Sequence, residues 1–134
     1  MIGYYVQLYF VTFAAFLVID AVWLVLVART FYSKYLGSLM APRPNWLAAL
    51  MFYLLFVVAV IVFVVVPGVE QDPLRTTLLR AALLGLVAYG TYDLTNLATV
   101  RNWPLTVTIV DMVWGTALSV AVSYVGVLAG KWLS

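Results

Sequence analysis

Four long apolar runs divide this chain of 134 residues, at Tyr4–Ala28, Trp46–Val66, Leu78–Leu97 and Leu105–Leu128. Each is close to the ~20 residues a helix needs to cross a hydrocarbon core of ~30 Å. Lipid offers no partner to an unpaired backbone N–H or C=O, so only helices and closed barrels can span it. A barrel would require alternating segments of ~10 residues joined by long polar loops, and the chain has neither. Hydrophobic residues make up 66% and charged residues 9%, a balance far from that of a soluble fold. The expected fold is an all-α membrane protein: one domain, a four-helix transmembrane bundle, with helices over approximately 4–28, 46–66, 76–99 and 104–129. The lipid bilayer is its first expected partner. No Lys or Arg precedes the first run and Asp20 lies within it, so it is expected to be a retained helix and not a cleaved signal.

The residues that are missing narrow the chemistry. Without cysteine there is no disulfide, thiolate nucleophile or iron–sulfur ligation, and without histidine no imidazole acid–base catalysis. No His- or Cys-ligated metal or haem is therefore expected, and any cofactor is left undefined. The net charge of +2 arises from basic residues at the ends of the spans, which marks them as topological anchors. There is no basic stripe, and no nucleic-acid partner is expected.

Along helix one, Tyr5, Tyr9, Thr12, Phe16, Asp20 and Trp23 recur at steps of four and three and share one stripe. The connection RTFYSKYLGSLMAPRPN from Arg29 to Asn45 gathers Phe31, Tyr32, Tyr35, Leu36 and Leu39 on one side, which predicts a short interfacial helix between helices one and two. Asn45 is placed to cap helix two. That helix carries no charge and reads as the span most exposed to lipid, stopped at Pro67-Gly68. Asp72-Pro73 predicts an N-cap and first-turn proline for helix three. On helix three, Gly85, Tyr89, Asp93 and Asn96 form a stripe flanked by Tyr92, Thr91 and Thr95. Helix four carries Asp111, Gly115, Ser119 and Ser123 at steps of four, a face that another helix can approach closely. The loops after helices one and three hold Arg29, Lys34, Arg43 and Arg101, against Arg75, Arg80 and Lys131 on the other side. The excess of basic residues predicts these loops in the cytoplasm and both termini outside.

Depth brings three of these residues together. Asp20 lies eight residues before Ala28, Asp93 eight before Arg101, and Asp111 seven after Pro104. At ~1.5 Å per residue all three carboxylates lie ~10–12 Å below one membrane face. An ionised carboxylate facing lipid costs ~2.5–3.5 kcal/mol at mid-span, so the three are expected to face the bundle interior and can converge there. Three like charges in a low dielectric cannot all stay ionised alone. Protons, Arg101 or Arg29 reaching inward, an oxygen-ligated metal held by Asp20, Asp93 and Asp111, or an organic cation would each compensate them. Asp20-Ala21-Val22-Trp23 and Asp111-Met112-Val113-Trp114 repeat the pattern D-x-V-W, setting a carboxylate and an indole on one face of each helix. The candidate site for a ligand or proton is therefore Asp20, Asp93, Asp111, Asn96, Tyr92, Trp23, Trp114 and Arg101.

The runs IDAVWL at 19–24, APRPNWLAAL at 41–50, YDLTNLATVRNWP at 92–104 and VDMVWGT at 110–116 carry a resemblance. Over nearly its whole length the chain resembles a family of small bacterial membrane proteins designated domain of unknown function 2177. The resemblance implies a four-helix protein of the bacterial inner membrane and brings no established activity. The residues themselves favour a protein that binds or transports a proton, a cation or a small molecule. A homodimer would widen the narrow interior of four helices. The alternatives are a membrane-embedded enzyme acting on a lipid or isoprenoid, with aspartates as acid and base, and an accessory subunit whose polar layer locks helices together.

Overall fold

The computed structural model describes all residues, 1–134, and contains helices and turns only. Helix α1 (Ile2–Trp23) passes through a widened π turn, Leu24–Ala28, directly into α2 (Arg29–Leu36) and a short 3-10 turn, Gly37–Leu39. The expected interfacial helix is therefore an uninterrupted extension of helix one, with Ala28 and Arg29 both in the right-handed helical region. The physical reason is local: Arg29 and Thr30 change the polarity of the chain but do not stop a helix, and the first such residues are Gly37 and Pro42. A rod of 38 residues would measure ~57 Å if straight, so its last part must bend over the bundle or leave the bilayer. The π turn supplies a bend point of the kind that often marks functional sites.

Helix α3 (Trp46–Val60) starts at Asn45, whose side chain accepts a hydrogen bond of 3.1 Å from the Ala48 amide, as expected of a cap. It does not stop at Pro67-Gly68. A second π turn, Ile61–Val65, leads without a break into α4 (Val66–Glu70), so Pro67 stands inside a continuous rod, just past a widened turn of the kind that accommodates a proline in a spanning helix. The next helix, α5 (Leu74–Thr99), takes Pro73 as N-cap residue without a side-chain bond. Asp72 is thus not the cap; it pairs with Arg80 at 3.5 Å. A tight turn joins α5 to α6 (Leu105–Leu133), with Asn102 in the left-handed region at φ 60°, a conformation that asparagine tolerates better than most side chains.

Three of the helical rods, Ile2–Leu39, Trp46–Glu70 and Leu105–Leu133, are long and apolar enough to cross a membrane. The fourth, α5, lies antiparallel along α6: Gly85 fits against the Gly115 carbonyl and Ser119, and Gly90 against Met112. The chain thus runs up and down as a four-helix bundle with α6 at its centre. The small-residue face of α6 is used along its length, with Gly126 against Val65 and Thr12, and Gly130 against Val69 and Tyr4. Tyr4 donates from its hydroxyl to the Gly130 carbonyl at 3.0 Å.

The apolar core sits towards the end of the bundle that holds the chain termini, built from Leu8, Phe16, Phe56, Val57, Val60, Ile61, Val65, Leu118, Val122 and Val127. Many of these lie on the second rod, which corrects the expectation that it is the one most exposed to lipid. Helix α1 has that position, burying only Leu8, Thr12, Phe16 and Asp20. An all-apolar helix shows no moment from which to read its buried side. The expected stripe of α1 holds at Thr12, Phe16 and Asp20 but not at Tyr5, which is exposed.

Candidate functional site: a carboxylate layer in an aromatic cage

Asp20, Asp93 and Asp111 are all buried, at 7%, 0% and 9% exposure, in the half of the bundle opposite the apolar core. Their environments differ. Asp20 is held by two donors, the Trp114 indole N–H to Oδ1 at 3.3 Å and the Tyr53 hydroxyl to Oδ2 at 3.2 Å. Asp111 accepts from the Tyr32 hydroxyl at 2.5 Å. Neither oxygen of Asp93 has a hydrogen-bond donor; its charged neighbour is the Asp111 carboxyl. A carboxylate can only accept, so such a pair needs a proton or a cation between its members. The three acids share a layer without converging as a triad, and no group of three has metal-holding geometry.

The repeated D-x-V-W pattern has a structural meaning. Trp23 and Trp114 stack on each other with centroids 4.4 Å apart and planes 8° from parallel. The second indole also donates to the first aspartate. Tyr32, two turns beyond Trp23 along the bent rod, supplies the donor for the second aspartate.

Around the acids the bundle is loosely filled. A cavity of about 260 Å³ is lined by Asp20, Asp111, Trp23, Trp114, Tyr32, Tyr53, Tyr89, Tyr92 and Phe52, with Leu24, Leu36 and Val107. An adjoining space of about 350 Å³ is bounded by Phe52, Ala88, Tyr89, Tyr92 and Asp111. Phe52 and Tyr92, on α3 and α5, are exposed on the outer surface of the bundle, so this space opens sideways between the two helices at the depth of the acids. Edge-on contacts of Phe52 and Phe56 with Tyr89, at 6.5 and 6.3 Å between ring centroids, bridge α3 to α5 there. Tyr89 in turn rests flat against Gly115, where any Cβ would overlap its ring.

Five of the sequence-derived site residues, Asp20, Asp111, Trp23, Trp114 and Tyr92, line these cavities, and Asp93 stands behind Asp111. Two do not belong to them. Asn96 is half-buried away from both spaces, and its carbonyl closes the end of α5 by accepting from the Val100 amide. Arg101 is exposed on the α5–α6 turn and pairs with no carboxylate; the one ion pair of the chain is Arg80 with Asp72. No Lys or Arg lines either space. Tyr32, Tyr53, Tyr89 and Phe52 are the aromatic lining residues absent from the sequence-derived set. Tyr89 shared the Asp93 stripe and Tyr53 was the one polar side chain inside helix two, so both had a signal; Tyr32 sat on a segment expected to lie outside the bundle.

Fold and site together define a four-helix membrane protein with a buried carboxylate layer enclosed by aromatic rings. The chain belongs to the family described as "Predicted membrane protein (DUF2177)", which matches residues 5–128. No curated protein and no solved structure matches it.

Proposed function

We propose that this protein is a membrane-embedded binding protein for an amphiphilic organic cation, taken up sideways from the bilayer. The observation that carries the reading is the composition of the cage: Asp20 and Asp111, with no basic residue beside them, share one small cavity with seven aromatic side chains. Ring faces attract ammonium groups by ~0.5–2 kcal/mol each, more when water is excluded. Buried carboxylates add the charge that such a cation neutralises. The sideways opening between Phe52 and Tyr92 suits a ligand whose tail stays in lipid. One chain supplies the whole lining, so a second copy is not required to build the site. The resemblance to bacterial membrane proteins and the distribution of basic residues support a place in the inner membrane with both termini outside.

Titration of the purified protein in a nonionic detergent with dodecyltrimethylammonium, followed by the fluorescence of the stacked indoles, tests this reading. Saturable binding that dodecanol does not reproduce is expected. Equal responses to the two would refute a cation site.

A second reading rests on the Asp93–Asp111 pair, in which a potential acid or base stands behind a carboxyl that faces a cavity open to lipid. An enzyme acting on lipid would leave a changed lipid profile in cells carrying Asp93→Asn. An unchanged profile by mass spectrometry argues for binding alone.

A further inference from the structure

A third cavity, of about 570 Å³, lies beside the cage on the side of the membrane face where α3 and α6 begin. It shares Leu24, Tyr32, Leu36 and Tyr92 with the cage. The only charged side chain that lines it is Arg29, and the rest of its wall is largely apolar. Arg29 has no carboxylate partner. Lys34, Arg43 and Arg101, the other basic residues of this face, line none of the three cavities. Anchoring at the headgroup level explains those three; it does not explain why one cation alone lines a large pocket that adjoins the carboxylates.

Arg29 is connected to the acids through Tyr32, one turn further along the helix. Arg29 precedes Tyr32 by three residues on α2, a spacing of ~5–6 Å on the same face, and the Tyr32 hydroxyl bonds Asp111. Arg29 on the outer cavity and Asp111 on the cage are therefore linked through Tyr32, which lines both spaces. Opposite charges on two adjoining cavities that share Leu24, Tyr32, Leu36 and Tyr92 complement a ligand whose head carries both an anion and a cation.

We infer that Arg29 and the carboxylate cage form a two-point site for a zwitterionic phospholipid head, with the phosphate on Arg29, the ammonium between Asp111 and Asp20, and the chains against the apolar walls. This rests on the cation-binding reading and deepens it by naming the ligand class. Arginine suits the role, since its planar fork pairs phosphate oxygens bidentately.

The test compares three probes on the intact protein in a nonionic detergent: dodecyltrimethylammonium, dodecylphosphocholine and phosphocholine without a chain. For wild type, dodecylphosphocholine is expected to bind at least tenfold more tightly than the simple cation. In Arg29→Gln that advantage disappears, while the affinity for the simple cation, which Arg29 can only oppose, does not fall. Arg29→Lys retains the charge without the fork and is expected to keep part of the advantage. Circular dichroism of each variant confirms that its helices are intact. If the cation binds but Arg29→Gln leaves dodecylphosphocholine binding unchanged, the two-point site is wrong and the cation site stands. If neither amphiphile binds to wild type, both readings fall. Equal binding of chainless phosphocholine would overturn the assignment to a lipid.

Discussion

Substituting Gly115→Ala should disturb the cage more than any other single methyl group. A Cβ at this position would overlap Cγ, Cδ1 and Cδ2 of Tyr89. The ring cannot retreat towards α3, because Phe52 and Phe56 meet it edge-on from that side; the open direction is into the adjoining space of about 350 Å³. Inserting a methyl into a packed contact costs ~1–3 kcal/mol, against ~0.8 kcal/mol gained by burying it. A net loss of up to about 2 kcal/mol is expected, with the displaced ring filling part of the binding space. Unfolding by sodium dodecyl sulfate, followed by circular dichroism, measures the loss. The double-mutant cycle with Tyr89→Ala isolates its cause: once the ring is absent, the alanine at 115 should cost close to nothing, a coupling of ~1 kcal/mol or more. An equal cost in both backgrounds would show that the methyl acts elsewhere, and the placement of Tyr89 against α6 would be wrong.

Three further substitutions test other parts of the account. Trp114→Phe removes a donor from Asp20 together with half of the indole stack, and leaving a buried acceptor short of a partner should lower stability by ~1–3 kcal/mol; a denaturation midpoint equal to wild type would contradict the contact. Thr12→Val replaces a fully buried hydroxyl that has no partner with a methyl of the same shape, so thermal unfolding should show a neutral or slightly stabilising change, and a clear loss would mean that the hydroxyl is engaged. Asn102→Ala should destabilise by ~1 kcal/mol, because its backbone is held at φ 60°; Asn102→Gly should not, and identical melting of the two variants would remove the strain argument.

Much of the site was legible in the sequence, because depth in a membrane is a matter of counting. Asp20, Asp93 and Asp111 fall within one residue of the same distance from span ends, and the structure buries all three in one half of the bundle. The face of α6 was legible for a similar reason: a residue every four positions leaves little doubt about which side another helix meets. Tyr32 was not legible, since its arrival at Asp111 depends on a helix that continues past Arg29 and bends through Leu24–Ala28. Charge suggested an exit where the backbone has no reason to stop. Tyr53 gave a weaker signal, because the apolar residues around it are alike on every side of α3, and periodicity cannot select a face from a uniform cylinder. Arg101 was drawn towards the acids by its position in sequence. The tight turn through Asn102 leaves it exposed instead.

Buried carboxylates without a basic partner are proposed to hold a cation. The affinity for dodecyltrimethylammonium, measured side by side in wild type and Asp111→Asn, tests it most directly. Asparagine keeps the shape and an acceptor for the Tyr32 hydroxyl while removing the charge, and a charge-assisted contact contributes ~1.5–3 kcal/mol. An affinity about tenfold to a hundredfold weaker is expected in the variant, with stability close to wild type. Undiminished binding in Asp111→Asn would contradict it.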